Sequence, residues 1–526
     1  MKITGLGVRR RAAAVAVTLT SALVLAACGG SSSGSSASGG GEADPDATLK
    51  IMYGMAASLD PVDAPEPAQL TFSTWPVYDT LIRVSSTSTY EPMLATKWEF
   101  TPDGKTLDLT LRDDVTFSDG EPFDAEAVKV NLERYMAADK SAVQFALAPV
   151  ESVEIVGDHE VAVNLKAPTT EILSVLSSNL GGIMISPKAI DGGKLATEPV
   201  GTGAYTIESF KPSEQAVYVR RTDEDGIWDE KTGNVARVEI SKIASNDAKT
   251  NALKSGQINL TTWDGDPNAY SGGQVQTVPL DGVLNMVGMY FNPKVKPLDD
   301  PLVRQAINLA IDRDAIVAAF VPEDTARVQP WPEGLPGFDD AREGDYAFDP
   351  DAAKAKLAEA GYPDGFEIDG EFLMSANSNI DKAAESVQAQ LADVGIKITL
   401  RATDILAQIT GYAAGKNPGQ FMYMSTPSID PYTWLQRLFV NPLWSPAGAD
   451  PALVKAIEGT NDPTLSDDER AANVSAAIDL ATEEALFAPL WQGVGGLAAA
   501  DNVAGLDELA STNGGVANLR YLSMTK

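Results

Sequence analysis

The chain of 526 residues contains one cysteine and one histidine, and past its N-terminal end no uninterrupted apolar run is long enough to span a bilayer. Each scarcity excludes something. With Cys28 alone, no intramolecular disulfide can form even where the redox compartment would permit one, so stability must come from core burial. With His159 alone, a histidine-rich zinc site or a pair of ligating histidines on one helix lacks its residues, and His159 itself precedes an alternating strand, where it reads as a turn residue. Positive charge is also scarce: 40 Lys and Arg stand against 73 Asp and Glu, a formal net charge of −33. A surface that acidic lacks the basic footprint of a nucleic-acid binder and repels anionic lipid headgroups. The remaining composition, 44% hydrophobic and 21% charged, is that of a globular protein long enough for more than one core.

What is present begins at the N-terminus. Lys2 and Arg9-Arg10-Arg11 precede an almost wholly apolar or small-residue stretch from Ala12 to Ala27, the charged and apolar regions of an export signal over residues 1–27. Leu25-Ala26-Ala27-Cys28 resembles a bacterial lipobox, which implies cleavage before Cys28 and a diacylglyceryl group on its thiolate. Attachment to the membrane would then come through that lipid alone. Residues 28–47 read as a flexible Gly/Ser-rich linker. Gly30-Ser31-Ser32-Ser33-Gly34 fits the pattern of a nucleophile elbow, but the strand and helix that such an elbow needs do not flank it.

The body alternates strand-like and helix-like segments, a mixed α/β pattern. Leu107, Leu109 and Leu111 recur with period two, as do Val161, Val163 and Leu165. Asp300-Pro301 and Asp349-Pro350 read as N-cap and first-turn pairs, opening helices whose inward faces carry Val303, Ile307 and Ile311 in one and Ala353 and Leu357 in the other. A third helix carries Ala384, Val387 and Leu391, stops at Gly395 and leads into the alternating strand Ile396-Lys397-Ile398-Thr399-Leu400. Ser466-Asp467-Asp468-Glu469 is a capping box. Asp103-Gly104-Lys105-Thr106 ends like a phosphate loop, yet Glu99 stands where its first glycine belongs, so Pro102-Asp103-Gly104 reads as a hairpin turn. Asp223-Glu224-Asp225-Gly226 lacks the further spacing of a calcium loop. No cofactor or metal site is expected.

Order and spacing of several tags carry a family resemblance. Pro92 to Glu99, Asp103-Gly104, and Leu111 to Phe123 (Leu-Arg-Asp-Asp-Val-Thr-Phe-Ser-Asp-Gly-Glu-Pro-Phe) are followed by Pro199-Val200-Gly201-Thr202-Gly203-Ala204-Tyr205. Further on come Val303-Arg304-Gln305-Ala306-Ile307, Ala358 to Pro363, and Asp430-Pro431. Together these resemble the family 5 extracellular solute-binding proteins, the oligopeptide-, dipeptide- and nickel-type receptors of ABC importers. The resemblance implies a two-lobe clamp of the type II periplasmic-binding-protein kind with an additional domain. Lobe I would comprise residues 48–82, 200–281 and 490–526, the additional domain 83–199, and lobe II 282–489.

It also implies that a small solute is held between the lobes, where closure of both walls buries most of its surface. The residues expected along that cleft are Trp263, Tyr290, Tyr423, Met424, Ser425, Asp430 and Trp491, with Trp491 on the cleft wall. Asp430 is equally readable as a helix cap. In similar peptide receptors a carboxylate three residues before the Asp-Pro pair holds the ligand's amino terminus; here that position is Pro427, which cannot pair with an ammonium. Modified peptides, oligosaccharides and chelates are therefore favoured over free peptides. The implied role is that of a monomeric, extracytoplasmic receptor that delivers its solute to ABC permease subunits. A secreted clamp-fold enzyme and a solute sensor for a membrane signalling protein stand as alternatives, although no catalytic constellation is visible in the sequence.

Overall fold

Local signals in the sequence place most elements of the body. A computed structural model describes residues 41–526, apart from 64–66, 86–88, 223–225, 244, 265–266, 272–273, 280–284, 334–336, 376–378, 426–429, 494, 507–508, 510, 513–515 and 518. The export signal, Cys28 and most of the linker lie outside the described residues. Asp300 accepts from the Leu302 amide and opens the helix Pro301–Leu309, while Asp349 accepts from the Ala352 amide and opens Pro350–Glu359. Both cases follow from the cap-and-proline rule, since proline in the first turn gives up no hydrogen bond. The capping box at Ser466 and Glu469 is formed, and the helix Asp467–Glu484 follows it.

Three sheets organise the chain. The first has seven strands, in the order Val275–Pro279, Gly495–Ala500, Leu260–Asp264, Thr48–Tyr53, Arg237–Lys242, Gln215–Arg220, Tyr205–Lys211. Thr48–Tyr53 runs parallel to both of its neighbours, and the other pairings are antiparallel. The second has six strands, ordered Thr325–Ala326, Phe487–Gly493, Asn285–Phe291, Gly419–Ser425, Phe366–Ser375, Ile396–Thr403. The third is an antiparallel sheet of Ala95–Phe100, Thr106–Leu111, Glu160–Leu165 and Val150–Gly157. Pro102-Asp103-Gly104 turns between its first two strands, with Gly104 at φ +68°, a conformation that favours glycine. His159 sits in the turn between its last two.

The chain passes from the first sheet to the second between Pro279 and Asn285, and returns between Gly493 and Gly495. The return falls slightly later than the expected start of lobe I at 490, because Phe487–Gly493 keeps its antiparallel pairing with Asn285–Tyr290 as far as Gly493. A second correction concerns the linker. Its last residues are tied down: Ala43 bridges Thr525, the Asp44 amide donates to the Met524 carbonyl at 2.8 Å, and the Lys526 amide donates to Glu42 at 3.0 Å. The chain's own C-terminal strand supplies these backbone partners.

Cores follow the alternation of the strands. Val287, Met289 and Phe291 face one side of the six-stranded sheet and pack with Phe372, Leu391 and Ile396; Met286 and Tyr290 face the other and pack with Trp331, Trp434 and Phe487. Gly288 is required where it stands, since a Cβ there would lie 2.3 Å from the Phe487 ring. The seven-stranded and four-stranded sheets share one continuous cluster that includes Leu49, Ile51, Leu107 and Val163, so the two sheets are joined through apolar packing. Among the described residues no helix is long and apolar enough to cross a membrane.

Candidate ligand-binding cleft

The strands on either side of the two crossings position the residues singled out above. Tyr290 is buried, with its ring against Phe487 at a centroid distance of 4.3 Å. Among the described residues its hydroxyl has no hydrogen-bond partner, and burial pushes its pKa up. Directly opposite on the neighbouring strand is Gln420, fully buried, with neither amide atom partnered. Met424 lies in the same cluster. Tyr423 points the other way, as alternation demands, and is 51% exposed, the only one of the expected aromatics that reaches solvent. Its electrostatic neighbour is Arg437, whose pKa burial lowers against the opposing effects of Tyr290 and Tyr423. The Arg437 guanidinium also stands 5.0 Å over the Trp444 ring. Ser425 ends the strand opposite Asn285; Pro427 lies outside the described residues.

The two tryptophans are packed inside. Trp263 lies against Gly496 on the adjacent strand, where a Cβ would come within 2.2 Å of the indole nitrogen, and that nitrogen has no acceptor. It forms a small cluster with Leu253, Ile258 and Tyr270. Trp491 is 3% exposed and belongs to the lobe II cluster with Val287, Ala488 and Leu490. Trp491 pairs opposite Val287 and so shares the face of the sheet that packs under the helices.

Asp430 is buried and caps the helix Pro431–Leu435, accepting from the Thr433 amide at 3.2 Å and the Thr433 hydroxyl at 3.1 Å. Burial raises its pKa to about 6. Sequence reasoning missed its neighbour Glu171, the first residue of the helix Glu171–Leu176, whose carboxyl is raised to about 7 by burial and then by Asp430. Asn461 fixes this approach. Its side-chain oxygen accepts from the Thr169 hydroxyl at 2.9 Å, the Thr170 amide at 2.8 Å, the Thr170 hydroxyl at 3.0 Å and the Glu171 amide at 2.9 Å. The Gly104 turn packs beside Pro463 and Thr464. Here residues 169–171 meet the segment that follows the helix Pro451–Gly459. A Thr-Thr-Glu stretch signals a helix start, but no local pattern names a partner 290 residues away.

These residues can hold a solute by stacking, hydrogen bonding and charge. Among the described residues no group of three or more His, Cys, Asp or Glu side chains is arranged to hold a metal ion. Two lobes joined by two crossings, with Tyr290 and Gln420 buried and, among the described residues, unpaired, make a clamp-like fold. Residues 89–445 match the family described as bacterial extracellular solute-binding proteins, family 5 (middle), and the chain belongs to that family. It is a solute-binding protein of the ABC-importer type and not an enzyme.

Among curated proteins it is 28% identical to the glutathione-binding protein GsiB of Salmonella paratyphi A over 468 residues, 82% of this chain and 86% of that one. The solved structure of HbpA2 from Haemophilus parasuis superposes with a TM-score of 0.80 at 21% identity, covering 91% of this chain and all of the other. The periplasmic binding protein DppA from Helicobacter pylori, in complex with the peptide STSA, gives 0.72 at 22% identity over 91% of this chain and 98% of its own. These structures share the two-lobe fold.

Proposed function

We propose that this protein is a lipid-anchored receptor that captures a small solute between its lobes as a monomer and hands it to the permease subunits of an ABC importer. The observation that carries this reading is the twice-crossed two-lobe architecture in a chain of the solute-binding family. The lipobox-like Leu25-Ala26-Ala27-Cys28 supports the anchor, since in a chain this acidic nothing else draws the body to an anionic membrane. In detergent partitioning of cells expressing the full chain, Cys28→Ser is expected to move the protein from the detergent phase to the aqueous phase. Retention in the detergent phase would overturn the anchor.

For the ligand, the relatives bind glutathione in one case and a peptide in another. In this chain Tyr423 and Arg437 supply an exposed ring beside a cation, which suits the face and the anionic or acceptor-rich part of a modified peptide, oligosaccharide or chelate. Trp263, Tyr290, Met424, Ser425, Asp430 and Trp491 complete the proposed contacts. Because Pro427 offers no carboxylate, N-acetylation of a short peptide is expected to leave its calorimetric affinity unchanged or improve it. A free peptide bound at micromolar strength and lost on acetylation would mean that another acid takes the amine, with Asp430 and Glu171 as candidates. Native mass spectrometry of protein purified without refolding would read the ligand's mass directly.

A further inference from the structure

Away from the two crossings, a cavity of about 80 Å³ lies where lobe I meets the additional domain. Its walls come from the helix Pro67–Thr74 and the turn after it, the strand Ile82–Val84, the Ser177–Asn179 segment and Arg520 near the C-terminus. In a chain of net charge −33, this lining contains two arginines, Arg83 and Arg520, and no carboxylate. Three lining residues hold buried donors without acceptors: the Trp75 indole N–H, the Arg83 Nε–H and the Tyr78 hydroxyl. Tyr78 itself is 5% exposed, so bulk water does not serve it. The remaining wall includes Val84, Met93 and Ile183, which offer apolar contact.

A buried donor left unpaired is costly, and surplus donors beside guanidinium groups call for an acceptor-rich guest. Water alone would meet the donors but would gain nothing from the apolar wall. We propose that this cavity is a binding site for a small monocarboxylate with a short alkyl stem, either free or as the acid terminus of a larger molecule. Its carboxylate accepts from the unpaired donors, and its stem lies against Val84, Met93 and Ile183. Both arginines are already engaged, Arg83 with Glu91 at 2.6 Å and Arg520 with Asp79 at 2.8 Å, so the site attracts an anion only moderately and its affinity belongs in the millimolar range.

The probe is sodium propionate, titrated into the intact protein carrying ¹⁵N-labelled tryptophan, with sodium chloride at matched ionic strength as the control. The Trp75 indole resonance, assigned through Trp75→Phe, is expected to shift saturably with propionate and not with chloride. Thr71→Leu, which fills the cavity from the helix, is expected to weaken that response at least about tenfold while circular dichroism and melting temperature stay close to the parent. Competition by a carboxylate-terminated peptide, absent for its amide, would assign the site to the acid end of a larger molecule; its absence would assign it to free monocarboxylates. No saturable shift of Trp75, an equal shift with chloride, or a response that survives Thr71→Leu would mean that the cavity holds water only and would overturn the proposal.

Discussion

Replacing Asp79 by alanine is expected to cost about 3–5 kcal/mol of folding stability, because it leaves a buried guanidinium without its principal counter-charge. The Asp79 carboxylate is 1% exposed and accepts from Arg520 at 2.8 Å, from the Thr202 hydroxyl at 2.9 Å and from the Trp228 indole at 2.7 Å. Removing it leaves Arg520 with Asp229 at 3.5 Å and the Trp228 ring 5.4 Å away. The network joins residues 441 apart and closes the end of the chain onto its beginning. Urea unfolding followed by far-ultraviolet circular dichroism reads the loss directly. Asp79→Ala combined with Arg520→Met should lose clearly less than the sum of the two single changes, since it removes the orphaned charge along with its partner. A loss below about 1 kcal/mol for Asp79→Ala would mean that the network is solvated and carries little of the fold.

The second large effect is a stability that falls as the solution becomes less acidic. Glu171 is raised from its ordinary 4.5 to about 7, and Asp430 from 3.8 to about 6, both mainly by burial. Around them stand Tyr432, Glu458 and Asn461, with Arg470 acting on Asp430 in the opposite direction. Below pH about 3 both carboxyls hold their protons whether the chain is folded or not, and the seam around Glu171 and Asp430 is at full strength. As the pH rises toward 7 the unfolded chain releases those protons first, so the folded state binds more of them and stability declines. After allowance for the solvent that still reaches Glu171, its share is about 2 kcal/mol.

Glu171→Gln mimics the protonated side chain. It is expected to match the parent at pH 4 and to exceed it by about 2 kcal/mol at pH 8, the common background of surface repulsion cancelling in the comparison. An equal difference at both values would remove the carboxyl from this account. The seam has a mechanical consequence too. It joins the additional domain to lobe II through Asn461, so a change in its strength alters how readily those parts separate.

Much of the fold was legible because its signals are local. Asp-Pro pairs, the Ser466 capping box, the Pro102-Asp103-Gly104 turn and the alternating leucines and valines each act over three to eight residues, and the elements stand where those patterns put them. The family was legible for a related reason, since its tags recur in a fixed order along the chain. The site is less legible in the sequence. Trp491, Trp263 and Tyr290 have the chemistry of ligand contacts, but aromatic rings serve cores as readily as clefts, and only strand pairing decides which face each ring takes.

By itself, then, the sequence determined the α/β class, the strongly acidic composition, the single cysteine in its lipobox-like setting and the membership of a solute-binding family, because composition, spacing and order need no third dimension. Tertiary structure alone decided that Trp491 is buried opposite Val287, that Asp430 caps a helix near Glu171, that Asp79 and Arg520 meet, and that two arginines but no carboxylate line a cavity beside the helix Pro67–Thr74. These are meetings between residues far apart in the chain. Burial and charge at such meetings depend on what the fold brings up against each side chain, and no window of sequence contains both partners.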